Sequence, residues 1–359
     1  MNKTYIIAEA GVNHNGREDL AFQLVDAAVA AGADVVKFQT FKAKNLVTAS
    51  AKQADYQIKN TQKVESQLEM LSRLELSYET HHKLIAYCND KGIEFLSTAF
   101  DHESLDFLVN DLGLKRLKIP SGELTNAPLV LAHARTGADL IVSTGMATLA
   151  EIEAALGVIA FGYTTQEDAV PSVELFEAAY FSEAGQQALK NKVFLLHCTT
   201  EYPAPFDEVN LKVMDTLSTA FELPVGYSDH TKGISVSVAA VARGAVLIEK
   251  HFTLDKEMEG PDHKASLDPC ELTAMVSSIR EVEEAIGSGR KGPSPSEVGN
   301  KIVARKSLVA SVEIRKGDKF SVNNLEVKRP GAGMSPSLYW SLLGKTASKD
   351  YGLGEQILE

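Results

Sequence analysis

The sequence predicts an α/β protein: a (β/α)8 TIM barrel followed by a small β-rich C-terminal domain. Three observations predict it. Eight short runs rich in Val, Ile and Leu recur along the first 253 residues, at 5–12, 34–40, 93–100, 116–123, 139–146, 193–202, 224–231 and 246–253. The runs are nearly continuous in apolar residues rather than alternating, as strands covered on both faces are. A Gly/Ser/Pro/Lys stretch then precedes a turn-rich tail too short to build a large core alone.

The elements between the runs read in order as helices. Residues 19–31 repeat apolar side chains at helical spacing and stop at Gly32, a C-cap. Residues 80–91 stop before Gly92, and 148–157 open with Thr148 and Glu151 in capping-box spacing. Residues 269–286 form the last long helix. Two segments break the rhythm. One, 41–76, is long and polar; the other, 161–192, has room for extra helices at 173–180 and 183–189. The domain reading is a catalytic barrel at 1–287, a linker at 288–302 and a tail domain at 303–359. The tail holds a strand-like run at 306–314 and a turn at Lys316-Gly317-Asp318.

Lys and Arg number 36 against 48 Asp and Glu, a net charge of −12. That balance excludes nucleic acid as the main ligand, yet a few lysines in a cleft still suit a small anion. No apolar run approaches the ~18 residues of a membrane span. The first four residues, Met1-Asn2-Lys3-Thr4, lack signal-peptide anatomy, and Cys88, Cys198 and Cys270 form no paired spacing. The expectation is a cytoplasmic, reduced protein with no membrane partner.

Barrel enzymes carry their chemistry at the C-terminal strand ends. Here those ends are polar in all eight runs. Lys37 and Lys118, with Thr98, Ser121, Ser143 and nearby glycines, could hold a phosphate and a carboxylate; a strand-end lysine can also simply reach solvent. His230 and His251 lie on consecutive strands and could share a divalent metal completed by water and substrate, or serve as hydrogen-bonded core residues. Glu249 shares a strand face with His251. Glu9 is a candidate acid/base or sugar-hydroxyl ligand, or a barrel carboxylate paired with lysine. His14 reads equally as a turn residue, and His81, His82 and His133 as helix residues. Lys118 or Lys250 could alternatively form a Schiff base in an aldolase.

The motifs Ile7-Ala8-Glu9-Ala10-Gly11-Val12-Asn13-His14-Asn15-Gly16, Val36-Lys37-Phe38-Gln39-Thr40, Lys118-Ile119-Pro120-Ser121-Gly122-Glu123, Ser143-Thr144-Gly145-Met146, Tyr227-Ser228-Asp229-His230-Thr231 and Glu249-Lys250-His251-Phe252-Thr253 resemble, in order, those of the sialic acid (nonulosonic acid) synthases. Lys328-Arg329-Pro330-Gly331 resembles part of the antifreeze-protein-like (SAF) domain that ends these enzymes. The resemblance implies condensation of phosphoenolpyruvate with an N-acylated mannosamine-type sugar. The product is N-acetylneuraminate if the acceptor is N-acetylmannosamine. It is N,N'-diacetyllegionaminate if the acceptor is 2,4-diacetamido-2,4,6-trideoxymannose, whose pocket should be more apolar at one end.

The resemblance further implies Mn2+ at His230 and His251, with Mg2+ or Co2+ as substitutes. It assigns phosphoenolpyruvate to Lys37, Thr98, Lys118, Ser121, Ser143, Thr200 and Ser228, with Thr200 standing where some members have Asn. It assigns the sugar to Glu9, Gln39, Tyr202 and Asp262, and to Arg329 delivered across a domain-swapped homodimer. The catalytic candidates are Glu9, Glu123 and Lys118: Lys118, with Lys37, stabilises the tetrahedral intermediate, and Glu9, Glu123 or the metal activates the water.

Overall fold

The computed structural model describes residues 3–166 and 168–358; Met1 and Asn2 of the N-terminal stretch lie outside them. The chain divides into two compact units, 1–287 and 288–359. In the first, eight parallel strands close into a barrel in chain order. They are β1 (Tyr5–Gly11), β2 (Val35–Thr40), β3 (Glu94–Ala99), β4 (Arg116–Ile119), β5 (Asp139–Ser143), β6 (Val193–Cys198), β7 (Val225–Asp229) and β8 (Leu247–His251). β8 returns to pair with β1.

The period of two along each strand sorts the side chains into layers. Ile7, Val35, Leu96, Ile141, Leu196 and Leu247 pack together as an apolar plug inside the barrel. Two residues further along the same strands stand Glu9, Lys37, Thr98, Ser143, Cys198 and Glu249, all buried. The plug is therefore the floor on which a polar layer rests. Two residues on again come Gly11, Gln39 and His251. The outward positions, among them Ile6, Ala8, Val36, Phe38, Leu117 and Ile248, join the core under the helices.

The helices at Glu18–Ala31 and Tyr78–Lys91 end where glycine was expected to end them, with Gly32 and Gly92 left-handed at φ 77° and 74°. The helix capped by Thr148 and Glu151 runs on to Thr164 instead of stopping near 157. Gly157 does not break it, because its missing side chain admits the backbone of Phe176: a Cβ there would lie 2.9 Å from the Phe176 carbonyl oxygen. The rest of the 161–192 insertion forms helices at Val173–Phe181 and Glu183–Lys192. The 41–76 segment is three short helices, Ala43–Leu46, Asp55–Thr61 and Gln67–Leu74. Three of the apolar runs stop as strands three or four residues sooner than the sequence suggested. β4 ends at Ile119 before Pro120, β5 at Ser143 before the Thr144-Gly145 turn, and β6 at Cys198.

The second unit holds an antiparallel pair, β9 (Ser307–Ala310) and β10 (Leu325–Lys328). Its own core is Leu308, Ala310, Ile314, Phe320, Leu325, Leu342, Ala347, Tyr351 and Ile357. Residues Pro295–Ala304, partly within the stretch read as linker, are helical; Ser294 caps the helix and Pro295 opens it, and none of its residues is buried.

Candidate active site

The polar layer is a closed charge network. Lys37 Nζ lies 3.0 Å from Glu9 Oε2 and 3.1 Å from Glu249 Oε2. Lys118 Nζ donates to both Glu249 oxygens at 2.9 and 3.1 Å. Ser228 Oγ donates to Glu249 Oε1 at 2.7 Å, and Lys37 Nζ to Thr98 Oγ1 at 3.2 Å. Strand register makes this possible: Glu9 pairs with both Lys37 and His251, Thr98 with Lys118, and Ser228 with Glu249.

Each of these charges is buried, so each is held by its neighbours. Burial works against the Glu249 carboxylate, but Lys118, Lys37 and Ser228 outweigh it and hold its pKa well below the usual range. For Glu9 burial prevails, with repulsion from Glu249, and pushes the carboxyl up. Burial opposes the Lys37 charge, yet Glu249 and Glu9 raise its pKa; burial with Lys37 nearby lowers that of Lys118.

Above the network stand His230 and His251, ring centroids 5.7 Å apart. Burial lowers His230 to about 4, and burial together with His230 and Lys37 holds His251 well below the ordinary imidazole range. Both imidazoles are therefore neutral. His230 Nδ1 donates to the Thr199 carbonyl at 2.6 Å, which leaves the Nε2 lone pair facing the cavity side, 3.3 Å from Ser228 Oγ. His251 Nδ1 is buried without a hydrogen-bond partner among the described residues. Two neutral rings with free lone pairs fit a divalent ion. No cluster of three or more His, Cys, Asp or Glu suited to a metal occurs among the described residues. The protein would thus supply two ligands, and water or substrate the rest.

A cavity of about 320 Å³ opens above this layer. One wall is polar: Ser121, Ser143, Cys198 and Thr200 line it, and Ser121, Cys198 and Thr200 crowd Gly145. Ser121 Oγ accepts from Gly145 N at 3.0 Å, while Ser143 Oγ and Thr200 Oγ1 are buried without hydrogen-bond partners among the described residues. A Cβ on Gly145 would lie 2.4 Å from Thr200 Oγ1 and 2.8 Å from Ser121 Oγ, so the backbone must stay bare there. A largely apolar wall lines it too: Val12, Phe41, Leu46, Val47, Met70, Leu71 and Leu74, with Gln57 and Gln67 among them. Most of it comes from the 41–76 segment. That segment is tied across the opening by Asn60 Nδ2 on the Pro261 carbonyl (2.7 Å) and by the Tyr56–Tyr202 ring contact (5.1 Å). Tyr202 also lies on His230 at 4.1 Å, and Asp262, with its pKa raised by burial to about 6, lines the same region.

Most residues expected at the site thus converge: Glu9, Lys37, Gln39, Thr98, Lys118, Ser121, Ser143, Thr200, Tyr202, Ser228, His230, His251 and Asp262 all line one cavity. Glu123 lies at its rim, half-buried, and accepts from Asn126 Nδ2 at 2.7 Å. Arg329 belongs to the second unit, exposed just beyond β10. Lys250, one of the two Schiff-base candidates, faces away from the cavity and pairs with Asp229 behind the barrel wall. Two contributors were not assigned from the sequence. Glu249, the centre of the network, was visible only as a neighbour of His251; Tyr56 lay in a segment with no periodic signal.

A model described as the NeuB family matches residues 24–291, and one described as the SAF domain matches residues 305–359. The chain is 52% identical over 359 residues to an N,N'-diacetyllegionaminic acid synthase of Campylobacter jejuni, covering all of both chains. It is 46% identical to an enzyme of the same name from Legionella pneumophila, over 99% of this chain and 93% of that one. The solved structure of an N-acetylneuraminic acid synthetase from Leptospira borgpetersenii superposes with a TM-score of 0.66 at 31% identity, covering 83% of this chain and 90% of the other. With a closed parallel barrel, a convergent polar layer and these relatives, the chain belongs to the NeuB family of nonulosonic acid synthases and carries a SAF domain after the barrel in sequence.

Proposed function

We propose that this protein is an N,N'-diacetyllegionaminic acid synthase, joining phosphoenolpyruvate to 2,4-diacetamido-2,4,6-trideoxymannose with water and releasing phosphate. The observation that carries the choice of acceptor is the apolar wall of the cavity, which suits a 6-deoxy carbon and an acetamido methyl. N-acetylmannosamine presents hydroxyls at both positions, which such a wall leaves unpaired. The name of the C. jejuni relative supports the same choice.

In this reading Lys37, Thr98, Lys118 and Ser228 hold the enolpyruvyl end, and Ser121, Ser143, Thr200 and the Gly145 backbone receive the phosphate. The unpartnered hydroxyls of Ser143 and Thr200 support that assignment. Glu9, Gln39, Tyr202 and Asp262 receive the sugar. His230 and His251 would hold a divalent ion such as Mn2+, which supplies Lewis acidity toward the sugar aldehyde.

C3 of phosphoenolpyruvate bonds to the aldehyde carbon, whose oxygen takes up a proton. Water adds at C2, and the tetrahedral adduct collapses to the 2-keto acid as the C2–O bond to phosphate breaks. In this reading Glu9 exchanges a proton at the former aldehyde oxygen, and Glu123 takes one from the water. Lys118 keeps its ammonium on Glu249 and stabilises charge on the adduct. We extend the reading to a cytoplasmic, domain-swapped homodimer in which each SAF domain brings Arg329 to the partner's cavity.

The test is phosphate release from phosphoenolpyruvate with Mn2+, comparing the two sugars with and without EDTA. The diacetamido sugar should be favoured about tenfold or more in kcat/KM, with chelator-sensitive release. Preference for N-acetylmannosamine would overturn the acceptor assignment, and chelator-resistant release the metal assignment.

A further inference from the structure

We propose that the buried Asp229–Lys250 ion pair is a positioning device: it pins the register of β7 on β8 and thereby the spacing of His230 and His251. The inference rests on the reading of those histidines as metal ligands. Asp229 and Lys250 are direct partners in the β7–β8 ladder, and both side chains are fully buried with Nζ and Oδ2 3.1 Å apart. They project outward because Ser228, Glu249 and His251, one residue away, project inward.

The pair brackets His230. Asp229 Oδ1 accepts from the Thr231 backbone N–H and from Thr231 Oγ1, both at 2.8 Å. Asp229 Oδ2 accepts from Ser237 Oγ at 2.6 Å, on the helix Ser235–Ala242 packed behind. Lys250 Nζ donates to the Thr231 carbonyl. The residues before and after His230 are therefore both tied to the residue between Glu249 and His251.

Stability alone does not account for this arrangement. Two charges taken wholly out of water recover little more than their desolvation cost, and an apolar pair fills the same space as well. Register is what a charge pair specifies and an apolar pair does not. A slip of one residue would turn His251 and Glu249 toward the helices and Lys250 into the cavity, and would strand Asp229 without its counter-charge. The neighbouring outward side chains, Tyr227 and Ile248, carry no such penalty.

The experiment measures Mn2+ binding by electron paramagnetic resonance in the full-length protein without substrates. It compares wild type, His230→Ala, and Asp229→Asn combined with Lys250→Met. That double variant keeps an oxygen acceptor for Thr231 and turns the Ser237 contact into one the amide donates, but has no charge pair. It should melt cooperatively, yet bind Mn2+ about tenfold more weakly than wild type. A double variant that melts lower but binds Mn2+ like wild type would make the pair merely structural and overturn the proposal. A double variant that does not fold would overturn it too, since the pair would then hold the fold rather than the register. Wild type binding no better than His230→Ala would instead sink the metal reading on which the inference stands.

Discussion

Glu249 is the residue on which the cavity floor depends, because it neutralises two lysines at once. Replacing it by Gln leaves Lys37 and Lys118 buried with only Glu9 between them. Breaking such a pair costs about 3–5 kcal/mol, so Glu249→Gln should melt well below wild type. Phosphoenolpyruvate brings its own negative charge and should raise the variant's melting temperature more than that of wild type; thermal melts with and without it check this. Gly145→Ala addresses the phosphate side. Its methyl would meet Thr200 Oγ1 and Ser121 Oγ at under 3 Å, and the KM for phosphoenolpyruvate should rise about tenfold in steady-state kinetics. At this scale the sequence told most of the story, since polar residues at strand ends point to a barrel mouth. The role of Glu249 was hidden because its partners sit on β2 and β4, and only barrel closure brings them across. Lys250 illustrates the opposite lesson. The period of two already set it on the face opposite Glu249 and His251, so its place behind the wall was legible.

The 41–76 segment gives the cavity its apolar wall, although its sequence reads as a polar loop. Its apolar lining is split between 41–47 and the last turn of Gln67–Leu74, with a polar stretch between them, and only the fold brings the two parts over one cavity. Leu71→Asn should raise the KM for the diacetamido sugar about fivefold while leaving that for phosphoenolpyruvate unchanged. Equal effects on both would make the wall a packing surface. The helices also carry a pH dependence. His81, held by Thr40 Oγ1 and the Ser77 carbonyl, and His133, on the Leu129 carbonyl, are each lowered by burial from 6.5 to about 4. Between those values the unfolded chain binds protons that the folded chain does not. The stability these two buried rings contribute is therefore complete above pH 6.5 and falls as the pH drops toward 4, against the opposite, smaller contribution of the raised Glu9 and Asp262 carboxyls. Urea midpoints across that range should decline with acid; a flat profile would contradict the burial argument.

Across the whole molecule the barrel was legible from eight repeated runs; the pattern of the tail showed only a short turn-rich module, because so few of its residues are strand, and its SAF identity was legible through the Lys328-Arg329-Pro330-Gly331 motif. Arg329 makes the assembly testable. If each SAF domain serves the partner's cavity, Arg329→Ala and His230→Ala are each inactive alone, but mixed subunits regain one intact site per hybrid dimer. About a quarter of wild-type activity should return after mixing and reassembly; no recovery would exclude the swap. The most direct test of the central claim is the condensation run in 18O-labelled water with the diacetamido sugar. The account predicts phosphate release that requires the sugar, with phosphate free of solvent oxygen because the C2–O bond breaks. Sugar-independent release, or phosphate carrying 18O, would contradict it.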